Sequence, residues 1–261
     1  MRAIEPKVFA IGETVAIADG IKALLAEMGV PDWHTDSPSH AEGLIETYGR
    51  LCYRSFAPGL NPNVKRVRDG NKDYISNIIH MKHGSVLEHV TVNFVFVGVS
   101  RVFTHELVRH RVGTAISQES LRFVRLTDLD FYIPEDIRNN PQALAIFTEA
   151  IESGERWQKE LATALGLDDA DTSFEVKKRL TSAMRRIAPE GLGTVIGWTA
   201  NFRTLRYVIE KRTDPAAEPE IRYVFGEVAK FLINRYPNAF GDLSFEIVDG
   251  LPFYTSLTGQ I

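Results

Sequence analysis

Apolar and polar positions alternate along this chain with two periods, and together they predict most of its elements. Val15, Ile17, Ile21, Leu24, Leu25 and Met28 recur at near-helical spacing, so a helix is expected over 13–28, ended by Gly29. Leu44, Ile45, Tyr48 and Leu51 share one face of a second expected helix, 40–52. Ile75, Ile78, Ile79 and Met81 mark a third, 73–82, closed by His83-Gly84. VTVNFVFVGV, 90–99, is rich in β-branched and aromatic residues and reads as a strand buried on at least one face. Ser100 can cap a helix over about 101–109.

Further along, Leu121 and Phe123 flank Arg122 in a stretch, 120–133, that suggests a strand. Helices are expected over 141–165 and 173–187, the latter with Val176, Leu180, Met184 and Ile187 on one stripe and Pro189 as its stop. TVIGWTAN, 194–201, reads as a strand, followed by helices over 202–212 and 219–235, with Pro219 in the first turn of the last. Between the early helices, 55–72 holds two prolines, two glycines and mixed charge, a candidate flap. Helices outnumber strands without a regular βαβ alternation. The expected class is α+β, with a mixed, largely antiparallel sheet packed with several long helices in one domain spanning 1–261.

Composition narrows the function. The chain has 261 residues, 44% of them hydrophobic, enough for a sizeable core. Its formal net charge is −4, whereas a protein gripping duplex nucleic acid usually carries a basic surplus. Any basic patch is therefore local and suits a small anion better than a polymer. The single cysteine, Cys52, permits no intrachain disulfide and points to a reducing compartment. It ends an apolar stripe and reads as a buried, inert thiol. No signal peptide or membrane span is legible, so a cytoplasmic protein is expected, with no membrane partner.

Chemistry concentrates between 80 and 125. Five of the seven histidines fall between 80 and 110. HELVRH, 105–110, fails the zinc-protease pattern, because its histidines are five apart and Arg109 fills the slot where the second should stand. No metal is expected, and His80 and His105 read as surface or hydrogen-bonded residues. In HGSVLEH, His83 and His89 flank Glu88, a cluster that can orient a ligand or satisfy itself; the pattern favours the latter. Arg109, His110 and Arg111 stand at a helix C-terminus, where one cation would complement the dipole. Three in succession cannot share one cap. The small, hydroxyl-rich VGTAISQES follows, then Arg122 and Arg125, a combination of backbone donors, hydroxyls and guanidinium forks that suits phosphate. A solvated face is the alternative. No GxGxxG or Walker loop is present.

HGSVLEH, SRVFTHELVRHR, SQESLR and WTANFRTLRYVIEKRTD (198–214) together resemble the signature blocks of the flavin-dependent thymidylate synthases, in the same order, over about Tyr48 to Ala239. The resemblance implies a homotetramer holding FAD between subunits. It implies synthesis of dTMP from dUMP with methylenetetrahydrofolate as carbon donor and NADPH as reductant, and no cysteine nucleophile. It assigns His83, Ser85, Arg109, His110, Arg111, Gln118, Asn201, Phe202, Arg203 and Tyr207 to FAD. It assigns Glu106, Arg109, Gln118, Glu119, Ser120, Leu121, Arg122 and Arg185 to dUMP. Arg212 would hydrogen-bond the uracil ring and favour its N3-deprotonated form, a role suited to a permanent cation; on pattern alone it is a helix-end cation.

Three positions depart from the family pattern. VGTAISQE puts eight residues, not the usual seven, between RHR and Ser120. Glu106 stands where glutamine is usual, and a carboxylate there would repel phosphate unless paired or turned away. Tyr207 replaces an asparagine. A flavoprotein acting on another pyrimidine nucleotide is the neighbouring alternative. A nucleic-acid-binding module using the 109–125 strip is a more distant one.

Overall fold

The computed structural model describes residues 2–121 and 130–257. In chain order the elements begin with β1 (Arg2–Ile4), β2 (Lys7–Glu13), α1 (Ala18–Glu27), α2 (His40–Tyr53), α3 (Asn71–His80) and a 3-10 turn over Gly84–His89. They continue with β3 (Thr91–Ser100), α4 (Arg101–Leu107), β4 (Thr114–Gln118), β5 (Asp130–Tyr132), α5 (Glu135–Arg138), α6 (Pro141–Ala164) and α7 (Phe174–Met184). The last are β6 (Gly193–Asn201), α8 (Phe202–Arg212), α9 (Pro219–Arg235), α10 (Pro237–Phe240), β7 (Leu243–Val248) and β8 (Leu251–Ser256).

Four strands form a sheet in the order β2-β3-β6-β4. Its neighbours run antiparallel, as the bonds Thr14 N to Thr91 O, Arg101 N to Leu192 O and Asn201 N to Gly113 O require. β7 and β8 make an antiparallel hairpin, while β1 pairs parallel with β5. The α+β expectation with a mixed, largely antiparallel sheet holds.

The chain divides into two compact units. One contains 1–9, 95–110 and 116–198. Its core includes Leu121, Phe131, Ile151 and Leu192, with Phe147 and Ala188 against them. Phe96 packs edge-on to Phe103 and beside Trp198. Ser100 caps α4 through Phe103 N at 3.1 Å, as expected. The other unit contains 10–94, 111–115 and 199–261. Its core is built on the apolar stripes of α8 and α9, with Phe202 against Tyr236 and Phe240.

Several boundaries differ from expectation. The N-terminal helix starts at Ala18, not 13, because β2 occupies Lys7–Glu13 and Thr14 is tied to Thr91. Val15 and Ile17 are exposed. The strand expected over 120–133 is β5 alone among described residues, with 122–129 outside them. The preceding stretch is not all loop, since β4 occupies Thr114–Gln118 and spends backbone groups on β6. On α7 only Met184 of the expected stripe is buried, and Ile187 is exposed beyond the helix. Cys52 is exposed, not buried, because its side of α2 borders an open recess rather than the core.

Candidate active site

In the second unit, α2, α3, the 3-10 turn and the N-terminus of α8 surround a cavity of about 730 Å³. Its cations are Arg66, Arg68, Lys82 and Arg203, and its lining holds no carboxylate. Tyr53, Tyr74 and His83 add flat rings, and Val64, Met81 and Val86 add apolar wall. Burial pushes the Tyr74 hydroxyl above its ordinary pKa, so it adds no negative charge there. The result is a half-apolar, net-positive recess, suited to a ligand with both a planar ring and phosphates.

Local structure explains how its side chains arrive. The 3-10 turn presents His83 and Ser85, and Val86 and Leu87 anchor it in the core. Arg203 is in the first turn of α8, where it meets Glu88 at 2.6 Å. His83 stacks on Tyr53 at a ring distance of 5.8 Å, and the Tyr53 hydroxyl lies 3.3 Å from His83 Nδ1. His89 stacks on Tyr48 at 3.7 Å. The HGSVLEH residues therefore do not satisfy one another, and each finds a partner outside the motif.

Val112 and Gly113 are fastened to the start of α8. Asn201 caps that helix through Thr204 N at 2.9 Å, and its own N–H donates to Gly113 O at 3.0 Å. The Thr204 hydroxyl donates to Val112 O at 2.8 Å. Gly113 has φ +67°, and a Cβ there would collide with the Asn201 amide and stand 2.6 Å from Thr204 Oγ1. Only glycine fits this approach. Arg111, next to the clamp, is exposed.

Of the residues assigned to flavin, the structure brings His83, Ser85 and Arg203 to one cavity. Tyr207 is exposed one turn further along α8, on the Arg203 face. The Phe202 ring is wholly buried in the aromatic core, so only its main chain is placed to meet a ligand. Arg212, half-buried, is the last residue of α8 and about half a turn round from Arg203.

In the first unit, Arg109 is exposed and His110 half-buried, just past the end of α4. Gln118 donates to Thr104 Oγ1 at 3.3 Å, and Glu119 N donates to Val195 O at 2.9 Å. Glu106 and Ser120 are half-buried. Leu121 belongs to the apolar cluster, so its side chain serves the core. Arg185 is exposed at the end of α7. Arg122 lies outside the described residues. His105 meets Glu190 at 3.3 Å on the surface.

Tyr53, Arg66, Arg68 and Lys82 line the same cavity but belong to none of the signature blocks. The run KRVR at 65–68, within the 55–72 stretch, is the sequence signal for two of them.

An α+β chain with a cationic cavity free of lining carboxylates is of the class suited to an anionic, ring-bearing cofactor or nucleotide. Residues 35–238 match the family described as Thymidylate synthase complementing protein. A flavin-dependent thymidylate synthase of Mycolicibacterium vanbaalenii is 38% identical over 229 residues, covering 86% of this chain and 88% of that one. Another, of Corynebacterium efficiens, is 34% identical over 227 residues with the same coverages. The chain belongs to the flavin-dependent thymidylate synthase family.

Two solved structures share the fold. The UMP/dUMP methylase PolB from Streptomyces cacaoi, bound with 5-Br UMP, has a TM-score of 0.62 at 15% identity, covering 92% of this chain and 95% of that one. Thymidylate synthase X from Helicobacter pylori, with FAD and dUMP, has a TM-score of 0.52 at 21% identity, covering 91% and 98%.

Proposed function

We propose that this protein makes dTMP from dUMP, with FAD as its cofactor, methylenetetrahydrofolate as carbon donor and NADPH as reductant. The observation that carries this reading is the 730 Å³ cavity where His83, Ser85 and Arg203 of the family signature meet Arg66, Arg68 and Lys82 without a lining carboxylate. That donor set fits a dinucleotide: guanidinium forks for the pyrophosphate, and aromatic and apolar wall for a ring. When bound, the flavin supplies the hydride that a cysteine-dependent mechanism obtains otherwise.

The chain's own groups then bind and orient. Arg203 and Lys82 hold phosphate charge, and His83 with Tyr53 offers a stacking face. On the family signature, Arg109, His110 and Arg111 serve the cofactor, and Gln118, Ser120, Arg122 and Arg185 the nucleotide phosphate; Glu119, a carboxylate whose N–H is spent on Val195 O, is not among the phosphate donors. Arg212 stabilises negative charge at uracil N3 through a permanent cation. Arg203 and Arg212 point to opposite sides of α8, which supports a site shared between copies in a homotetramer. Among the described residues no helix is long and apolar enough to cross a membrane, and with one cysteine a reducing, cytoplasmic setting is the reading.

Tritium release from 5-labelled dUMP tests the function. Release that requires FAD, NADPH and methylenetetrahydrofolate together is expected. A protein that holds FAD yet releases tritium only from labelled UMP would overturn dUMP as the substrate. Light scattering of the FAD-loaded protein tests the assembly, with a monomeric mass as the contrary result.

A further inference from the structure

Arg50 presents an unusual situation for an arginine. It lies on α2 with a relative exposure of 2%, buried on a side of the helix away from the Leu44, Ile45, Tyr48 and Leu51 stripe. Burying an ion is costly unless it is paired and its hydrogen bonds are filled. Here they are filled. Nε and Nη2 both donate to Glu46 Oε1, at 2.9 and 2.7 Å. Glu46, itself 2% exposed, accepts on Oε2 from Thr35 at 2.5 Å and Asn71 at 2.9 Å. The guanidinium sits 4.4 Å from the Tyr74 ring centroid and 5.5 Å from that of Trp33.

The remaining donors leave the ion pair and go to main chain. Nη1 donates to Ser55 O at 2.7 Å, and Nη2 to Arg68 O at 2.9 Å. These carbonyls stand at the two ends of the loop between α2 and α3. One planar group thus pins both ends of a segment that has no regular structure of its own. That segment supplies Val64, Arg66, Val67 and Arg68 to the wall of the 730 Å³ cavity. The same Arg66–Arg68 stretch also walls an adjacent recess of about 1070 Å³ beside α3 and α10, so it is the partition between two open spaces. Asn61 adds a bond from its amide to Tyr53 O at 2.9 Å, and Val64 N donates to Asn61 O at 2.8 Å, but of these loop bonds only the Arg50 fork reaches Arg68.

We infer that Arg50 is a positioning residue for the cofactor: buried in α2, it clamps Ser55 and Arg68 and so sets Arg66 and Arg68 against the cavity. The inference rests on the FAD reading above. A purely structural ion pair would need Glu46 alone, not the two loop carbonyls. Lysine can keep the charge opposite Glu46, but its single ammonium cannot replace a fork that reaches three acceptors in different directions.

The test compares wild type and Arg50→Lys, both as full-length protein. FAD affinity is measured by quenching of flavin fluorescence, and the loop by the rate of tryptic cutting after Lys65, Arg66 and Arg68. The variant should bind FAD about ten-fold more weakly, a loss on the scale of one charge-assisted hydrogen bond. It should be cut faster, and saturating FAD should restore turnover towards wild type. Simple destabilisation would instead raise the apparent Kd only by the inverse of the folded fraction, which circular dichroism reads, so a tenfold loss in a fully folded variant is not explained by it. Folded Arg50→Lys with wild-type affinity and cutting rate overturns the inference alone. Wild type that binds no FAD overturns the functional reading beneath it. If circular dichroism shows Arg50→Lys unfolded, the charge-neutral double variant Glu46→Gln/Arg50→Gln takes its place, with the same criteria.

Discussion

The hydroxyl of Thr204 donates to the carbonyl oxygen of Val112 at 2.8 Å, which fixes the residues just after Arg109-His110-Arg111 to the first turn of α8. The same turn carries Arg203, so one hydrogen bond couples two halves of the family signature that lie about ninety positions apart in sequence. Thr204→Val removes the donor while keeping the shape. It should cost about 1 kcal/mol of stability and weaken FAD binding, read by thermal melting and flavin titration. Unchanged FAD affinity would show that the clamp does not serve the cofactor.

Gly113→Ala is the harsher change at that clamp. Its φ of +67° and the nearby Asn201 and Thr204 side chains leave no room for a methyl group. We expect a loss of more than about 1 kcal/mol, seen as a lower melting temperature, with flavin affinity falling too. A variant as stable as wild type would mean the loop relaxes freely.

Arg212→Ala should lower kcat by about a hundredfold or more and leave FAD bound, since Arg212 lies on the side of α8 away from Arg203. Turnover near normal would remove Arg212 from the chemistry. Loss of FAD along with turnover would instead move it into the cofactor site.

His105 pairs with Glu190 on the surface, and among the described residues no three metal-binding side chains gather. Dialysis against EDTA should leave turnover intact, and His105→Asn should act within about twofold of wild type, since exposed pairs contribute little. Activity lost to EDTA and restored by zinc would reverse this assignment.

Two carboxyls, the half-exposed Glu13 and the buried Glu42, should respond to pH with opposite sign. The Arg235 guanidinium holds Glu13 below its ordinary pKa, against burial and with help from the Tyr236 hydroxyl. Its contribution is present above the carboxylate range and is lost as pH falls through the lowered folded-state pKa. Glu42 is the reverse. Burial raises it, although Ser39 and the Ala239 and Asn238 N–H groups bond to it. Its cost grows as pH rises through the unfolded and then the raised folded pKa. Urea melts of Glu13→Gln should therefore show a deficit at pH 7 that shrinks in acid. Those of Glu42→Gln should show a relative gain at pH 7 that also shrinks in acid. A pH-independent difference for either variant would contradict the assignment.

Much of the framework was legible because long amphipathic runs bury one face whatever surrounds them. The helices at 40–53, 141–164, 202–212 and 219–235 and the strands at 91–100 and 193–201 fall close to where periodicity places them. What escaped depends on partners distant in sequence. β2 is short, with a burial pattern almost wholly exposed, and only β3 makes it a strand. On α2 the pattern pointed to Leu44, Ile45, Tyr48 and Leu51, but Glu46 and Arg50 are more deeply buried than Leu44, Tyr48 or Leu51. No one-dimensional rule anticipates an ion pair going inside. The β7–β8 hairpin did leave a trace. Asp249-Gly250, with φ +52° and +76°, is a turn dipeptide between two alternating runs.

The candidate site was legible in part for the same reason. His83, Ser85 and Arg203 stand out through a motif and do meet. The cations at 66, 68 and 82 sit in irregular or turn segments, and only the tertiary path of the 55–70 loop gathers them.

The exposed thiol of Cys52 gives this molecule a built-in reporter. It is the chain's one cysteine, and it lines the cationic cavity. A maleimide dye would attach at a single known address without mutagenesis. Its emission would then follow the filling of that cavity in real time, and the protein as nature makes it could serve as its own binding sensor.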